Sequence, residues 1–340
     1  DVTYDQTQLD EYVERVLQLE AVACKDWLTN KVDRSVTGKI ARQQCQGEIQ
    51  LPLSDCGVVA LDYRGRAGIA TSIGHAPQAA LVDPAAGSIL SIAEALTNIV
   101  WAPLSEGLDS VSLSANWMWP CKNEGEDARL YRAVEACSDF ACSLGINIPT
   151  GKDSLSMTQK YGKDKVYSPG TVIISAGAEV SDIRKVVSPV LRTGIDSTVY
   201  YIDFSFDKLK LGGSAFAQSL DKIGKEVPTV QDSEYFANAF NAVQELINKE
   251  LILAGHDISA GGMITTMLEM NFANTEGGLE VSLDEIPEKD LVKILFSENP
   301  GILIQVEKTD EVEKILKKAG VAFIRLARPC DERHLLIHKD

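Results

Sequence analysis

The sequence predicts an α/β fold (α+β where its short strands are mixed) divided into two domains. Three observations carry that prediction. The chain has 340 residues, more than the ~100–200 that one hydrophobic core usually organises. Strand-like and helix-like runs alternate along its length, as in a sheet covered by helices. Turn-forming pairs gather between residues 157 and 197, at Tyr161-Gly162, Ser168-Pro169-Gly170 and Ser188-Pro189, where a chain can pass from one core to the next. The domains are therefore expected at residues 1–160 and 161–340.

In chain order, a helix is expected through DEYVERVLQLEAVACKDWL (10–28), then Gly- and Gln-bearing connections to a strand in CGVVALDY (56–63). AAGSILSIAEALTNIVW (85–101) reads as a buried helix and DSVSLSAN (109–116) as a strand. A long amphipathic helix follows, with Leu130, Val134, Cys137, Ala141 and Leu144 on one face, and TVIISAGAEV (171–180) reads as a strand. The second half continues with VYYIDF, a helix start at Gly212-Gly213, a helix over 231–250, LILAGHD and a helix from 260. GLEVSL, DLVKILF, GILIQVE, DEVEKILKKAG and VAFIRLA complete a set of short strands with covering helices. No internal repeat is visible.

Composition narrows the function classes. A net charge of −16 argues against a sequence-independent grip on nucleic acid, which needs clustered Lys and Arg. It leaves room for a local pocket that takes an anionic ligand. The cysteines (24, 45, 56, 121, 137, 142 and 330) are seven, an odd number, and show no CxxC spacing. That disfavours a zinc site or disulfide framework and suits a reducing cytoplasm. No apolar run reaches the ~18 residues of a membrane span, and no secretory signal opens the chain. The first residue is Asp1 rather than Met, which suggests a piece of something longer.

Several motifs are tempting and fail. IPTGKDSLSM (148–157) resembles a phosphate loop, but the required earlier glycine is Ile146, and Lys152 is followed by Asp153. The bland alternative is a polar turn after LGINIP, in which Gly151, Lys152 and Ser154 could still meet an anion. GGSAFA (212–217) and GGMITT (261–266) lack the dinucleotide pattern. Each pair of glycines opens a helix that could face phosphate or simply pack closely. With four histidines and no nucleophile elbow, a hydrolase triad is not indicated, even though His256 adjoins Asp257. His75 reads as a loop residue, and Cys137 and Cys142 as helix packing.

The oxygen-bearing residues are more informative. On the 85–101 helix, Gly87, Ser91, Glu94 and Asn98 form a narrow polar stripe on an otherwise apolar element. Burying such groups unpaired would cost on the order of 2–7 kcal/mol each, so something must meet the stripe. Asp55 stands at the mouth of an apolar strand in LPLSDCGVV, and Asp257 just past another in LILAGHDISAGG. Both are places where α/β proteins display functional groups, though each reads equally as a cap or turn. Together the four residues would suit Mg²⁺, which prefers hard oxygen ligands and keeps company with phosphates.

Six segments recur in one order: DRSVTGKIARQQ (33–44), LPLSDCGVV (51–59), SIGHAPQAALVDPAAGSILSIAEALTNIVWAPL (72–104), LSANWMW (113–119), IPTGKDSLSM and GHDISAGG (255–262). Together they closely resemble the large-type phosphoribosylformylglycinamidine synthases, also called formylglycinamide ribonucleotide amidotransferases. The resemblance covers essentially the whole chain. It implies a two-domain fold like that of aminoimidazole ribonucleotide synthetase, of which these enzymes carry two tandem copies, and this chain resembles the second. Its N-terminal domain would pair with the other copy in a barrel-like interface.

The implied activity is an ATP-dependent C–N ligation in purine synthesis. Formylglycinamide ribonucleotide would become the amidine, with glutamine-derived ammonia and through an iminophosphate. Two nucleotide sites are implied, one catalytic and one holding a structural ADP with Mg²⁺. By resemblance, Asp55, Glu94, Asn98 and Asp257 would be the Mg²⁺ ligands, and Lys25, Ser54 and Ser259 would touch the nucleotide, ATP or ADP. Asn116, Gly151, Lys152, Asp153 and Ser154, the last four in a GKDS turn, would be this half's share of the substrate cleft. The catalytic ATP-gripping loop, the amino-terminal domain and the glutaminase would lie elsewhere in the full-length enzyme. No catalytic residue is assigned in this chain, which alone is expected to be inactive and could homodimerise through the face its partner repeat would cover. A nucleotide-clamped scaffold is the rival reading. Another enzyme of the same fold, such as selenophosphate synthetase, is disfavoured by RSVTGKIARQQ and PTGKDSLSM.

Overall fold

Buried and exposed residues alternate without a break along the strand Gly68–Gly74, so the sheet it belongs to has one covered face and one open face. The computed structural model describes residues 2–31, 34 and 38–339. Asp33, Ser35, Val36 and Thr37 of the DRSVTG segment lie outside the described residues. In the first sheet the strands run in the order Ile40–Arg42, Gly57–Ala60, Gly68–Gly74, Thr171–Val180, Ser112–Met118 and Asn147–Ser154. All neighbours are antiparallel except the last pair. The helices Pro84–Ile99 and Glu126–Ser143 pack on each other and cover the inner face. The outer face carries Ile69 and Ile73, 46% and 57% exposed, and the sheet does not close on itself.

The second sheet runs Ile252–Asp257, Gly301–Val306, Thr198–Asp203, Phe323–Cys330, Gly278–Ser282 and Leu335–His338. Its strand Gly301–Val306, paired with strands on both sides, is buried throughout, as in a sheet covered on both faces. The helices Ser233–Asn248, Gly262–Phe272, Leu291–Phe296 and Thr309–Lys318 accompany it. Two small ribbons, Cys45–Gln46 with Leu51–Pro52 and Thr158–Tyr161 with Asp164–Tyr167, stand apart from both sheets.

The cores are not separate. One apolar cluster runs from Ile92, Leu96 and Trp101 through to Phe236, Phe240 and Val243, each fully buried large side chain contributing about 1.5–3 kcal/mol. Gln244, itself buried, fastens the two halves: its amide donates to Val100 O (2.6 Å) and Ala102 O (3.1 Å) and accepts from Leu104 N–H (2.8 Å). The chain crosses between sheets from Val180 to Thr198, so Thr171–Val180 sits inside the first sheet, past the division expected at residue 160.

Three local expectations change. The helix expected over 10–28 is two helices, Leu9–Leu17 and Asp26–Lys31. The first lays Tyr12 and Val16 on Phe216 and the second domain's core. Between them the Lys25 ammonium bonds the Glu20 and Ala23 carbonyls, groups that a continuous helix would have used. The GKDS segment is not a turn but an edge strand, parallel to Ser112–Met118, with Gly151 opposite Ala115 and Lys152 opposite Asn116. Gly68–Gly74, to which the sequence reading assigns no element, is a central strand.

Candidate functional site

The polar stripe of the Pro84–Ile99 helix is met by the end of the Gly68–Gly74 strand. Asp83 starts this helix by accepting Ala85 N–H at 2.9 Å, with Pro84 in the first turn. The strand approaches so closely at Gly74 that a Cβ there would lie 2.2 Å from Ser91 O. That contact puts Asn98 Nδ2 within 2.9 Å of Ile73 O and Glu94 Oε2 within 2.5 Å of His75 N. One group on each side chain is thereby satisfied. The Asn98 amide oxygen and the second Glu94 oxygen take no hydrogen bond from a described residue.

Asp55, His256 and Asp257 converge from opposite domains. His256 Nδ1 lies 2.7 Å from Asp55 Oδ1 and 3.5 Å from Asp257 Oδ1. Its Nε2 lies 2.9 Å from Glu269 Oε2. All three side chains are nearly sealed from solvent, and their donor atoms fall within 4.8 Å of one another. Asp55 Oδ2, Asp257 Oδ2 and Ser54 Oγ are buried without a hydrogen-bond partner. Burial pushes the His256 pKa down, but Asp55 and Glu269 outweigh it and hold the imidazole well above its usual value. Burial, then the Asp55 charge, raises the Asp257 carboxyl well above the carboxylate range. Burial also raises Asp55, opposed by His256.

A pocket of about 540 Å³ opens between the domains, lined among others by Lys25, His75, Glu94, Gly213, Ser259 and Glu298. Glu94 keeps an accessible side toward it but is crowded by protein. Burial, helped by the nearby Glu298 charge, pushes its carboxyl up to about 7. Glu298 reaches about 7 for the same first reason, against the two backbone N–H groups it accepts. The pocket thus draws Lys25, Glu94 and Ser259 together. Asp257 is near enough to feel the Glu94 charge, and Asp55 is ion-paired with Asp257's neighbour His256.

The donor set tests well for Mg²⁺. Buried carboxylate oxygens without partners, an amide oxygen and hydroxyls are hard ligands, and a divalent cation would stabilise the ionised carboxylates that burial disfavours. The predicted substrate-facing residues lie apart from this pocket. Asn116 Oδ1 is buried without a partner, and Gly151, Lys152, Asp153 and Ser154 follow the neighbouring edge strand, where the Lys152 ammonium meets Ser154 Oγ. None of the five lines the pocket.

Glu269 and Glu298 were missed from the sequence. Glu298, in FSENPG just before a buried strand, occupies the same kind of strand-mouth position that singled out Asp55 and Asp257. Glu269 sits within the Gly262–Phe272 helix, with nothing local to separate it from an ordinary solvent-facing acid.

Residues 24–179 match the family described as the FGAR-AT PurM_N-like domain. Residues 198–334 match the AIR synthase related protein C-terminal domain. Among curated proteins, a probable phosphoribosylformylglycinamidine synthase of Caenorhabditis elegans is 42% identical over 96% of this chain and 26% of its own length. The Homo sapiens phosphoribosylformylglycinamidine synthase is 41% identical over 92% of this chain and 24% of its own. The chain therefore spans about a quarter of the length of these relatives. Among solved structures, Thermotoga maritima PurL complexed with ADP superposes with a TM-score of 0.70 at 13% identity, over 97% of this chain and 49% of that one. The same protein complexed with FGAR gives 0.66 at 16% identity, over 84% and 45%. The fold is that of paired N- and C-terminal aminoimidazole ribonucleotide synthetase-type domains, and nearly the whole chain is similar to about a quarter of the length of the phosphoribosylformylglycinamidine synthases.

Proposed function

We propose that this chain is the second half of the synthetase core of a phosphoribosylformylglycinamidine synthase, and that its interdomain pocket holds a nucleotide with Mg²⁺ as a structural ligand. The observation that carries the reading is the pair of buried, unpartnered oxygens, Asp55 Oδ2 and Asp257 Oδ2, behind a pocket lined by Lys25, Glu94 and Ser259. Against the carboxylates of Glu20 and Glu94, with Glu298 turned to the backbone N–H groups of Ala215 and Gly261, the described lining sets one lysine, Lys25. Such a wall repels a bare polyphosphate and suits one carried with divalent cations. Asp55, Glu94, Asn98 and Asp257 would hold Mg²⁺, and Lys25, Ser54 and Ser259 would contact phosphate or sugar.

In the full-length cytoplasmic enzyme, the first repeat would supply the catalytic ATP site and the glutaminase the ammonia. Asn116 and Gly151–Ser154 would contribute one wall of the cleft for formylglycinamide ribonucleotide, through positioning and charge neutralisation of the transferred phosphoryl group. The open face around Ile69 and Ile73 would be covered by the first repeat, and in the isolated chain by a second copy. We read the domain edge as the connection at 181–197 rather than residue 160, because Thr171–Val180 pairs within the first sheet. Complementing the chain with the missing parts and assaying amidine formation from ammonia tests this: Lys152→Ala and Asn116→Ala should each slow it, and unchanged rates would remove the assignment of this face.

A further inference from the structure

Glu298 lines the pocket, yet as an anion it is an unsuitable contact for phosphate. Its Oε1 accepts two backbone N–H groups, Ala215 N at 2.8 Å and Gly261 N at 2.8 Å. These amides belong to the two loops that carry the Gly212-Gly213 and Gly261-Gly262 pairs. The first loop reaches across to the other domain: at Gly213 (φ +66°) an added Cβ would lie 2.5 Å from Ala79 Cα, so backbone meets backbone there. The second loop presents Ser259 and Ala260 to the pocket immediately before Gly261. The next residue, Asn299, works alike, donating to Lys208 O at 3.1 Å and Ser205 Oγ at 3.2 Å.

We propose that Glu298 is a positioning residue of the pocket: one carboxylate oxygen ties the Leu211–Ala215 loop to the Ser259–Gly262 loop and so fixes the second domain's wall against the first. The consequence for ligand affinity rests on the nucleotide reading above; the tie itself does not. The role requires an acceptor of the right length, not a charge. Glutamine keeps that acceptor, aspartate is one methylene too short to span both amides, and alanine leaves two N–H groups unpaired.

The test pairs calorimetry, with Mg–ADP as the probe, with amide hydrogen exchange on the folded chain. In Glu298→Ala, exchange at Ala215 and Gly261 should quicken about tenfold or more and Mg–ADP affinity should fall about tenfold or more. Glu298→Gln should stay within about threefold of the unaltered protein in both. Should Glu298→Ala not fold, Glu298→Asp is expected to quicken exchange at one of the two amides. Unchanged exchange in both Glu298→Ala and Glu298→Asp overturns the proposal, as does Glu298→Gln behaving like Glu298→Ala, which would mean that charge matters. If the unaltered protein takes up no Mg–ADP, the nucleotide reading falls, and the exchange arm still decides the tie.

Discussion

His256 Nδ1 lies 2.7 Å from Asp55 Oδ1, and this buried ion pair joins the two domains. Asp55 leads into the first sheet and His256 sits on a strand of the second. With Glu269 on the far ring nitrogen, the imidazolium neutralises carboxylates that would otherwise be buried against one another. Replacing His256 by Ala should therefore cost about 3–5 kcal/mol in urea unfolding, since it leaves charge uncompensated. A loss below about 1 kcal/mol would show that the pair contributes little.

Gln244 makes a second, neutral link. Gln244→Leu conserves bulk but strands Val100 O, Ala102 O and Leu104 N–H. The expected cost is about 2–4 kcal/mol, read as a lower denaturation midpoint. A variant as stable as the parent would mean water reaches those groups.

Acid should release one surface network in a defined window. Glu313 Oε2 accepts from Lys317 Nζ at 2.8 Å, and Oε1 from Arg325 Nε at 2.7 Å and Tyr200 OH at 2.9 Å. The Lys317 bond first, with Arg325 and Tyr200, pulls its carboxyl from 4.5 down to about 2. A depressed carboxylate stabilises the fold above its unfolded pKa and loses that contribution as pH falls through its folded one. The stability gap between the parent and Glu313→Gln should thus be full near pH 6 and shrink below about 4.5. A gap that widens on acidification would contradict the network.

Thiol reactivity should sort by burial. Cys56 and Cys137 are pushed up to about 12, each chiefly by burial, and Cys45 is also buried, whereas Cys24 and Cys142 are exposed. A thiol reagent at mildly alkaline pH should label Cys24 and Cys142 first, with Cys45, Cys56 and Cys137 modified only on unfolding. Rapid modification of Cys56 would place solvent beside Asp55.

Much of this was legible in sequence. The helix over 84–99 and its Glu94–Asn98 stripe announced themselves by periodicity, and Asp55 and Asp257 by their places at strand mouths. What sequence could not supply was convergence: Asp55 and Asp257 are about two hundred residues apart, and only the packing of one sheet beside the other brings them to one imidazole. The edge strand at Gly151–Ser154 was hidden because Gly, Lys, Asp and Ser have turn-like propensities, overridden here by parallel pairing to Ala115–Met118. Gly68–Gly74 was hidden likewise by its small residues. The break before Lys25, where its ammonium meets the Glu20 and Ala23 carbonyls, leaves no mark in the hydrophobic pattern.

The most direct test of the proposed site is titration of the purified chain with ADP in the presence of Mg²⁺ or EDTA, alongside an Asp55→Ala/Glu94→Ala double variant shown to be folded. The expected result is about one nucleotide bound per chain, dependent on Mg²⁺, and weakened a hundredfold or more (about 2.7 kcal/mol) in the double variant. Binding that ignores EDTA, or a double variant with full affinity, would contradict it.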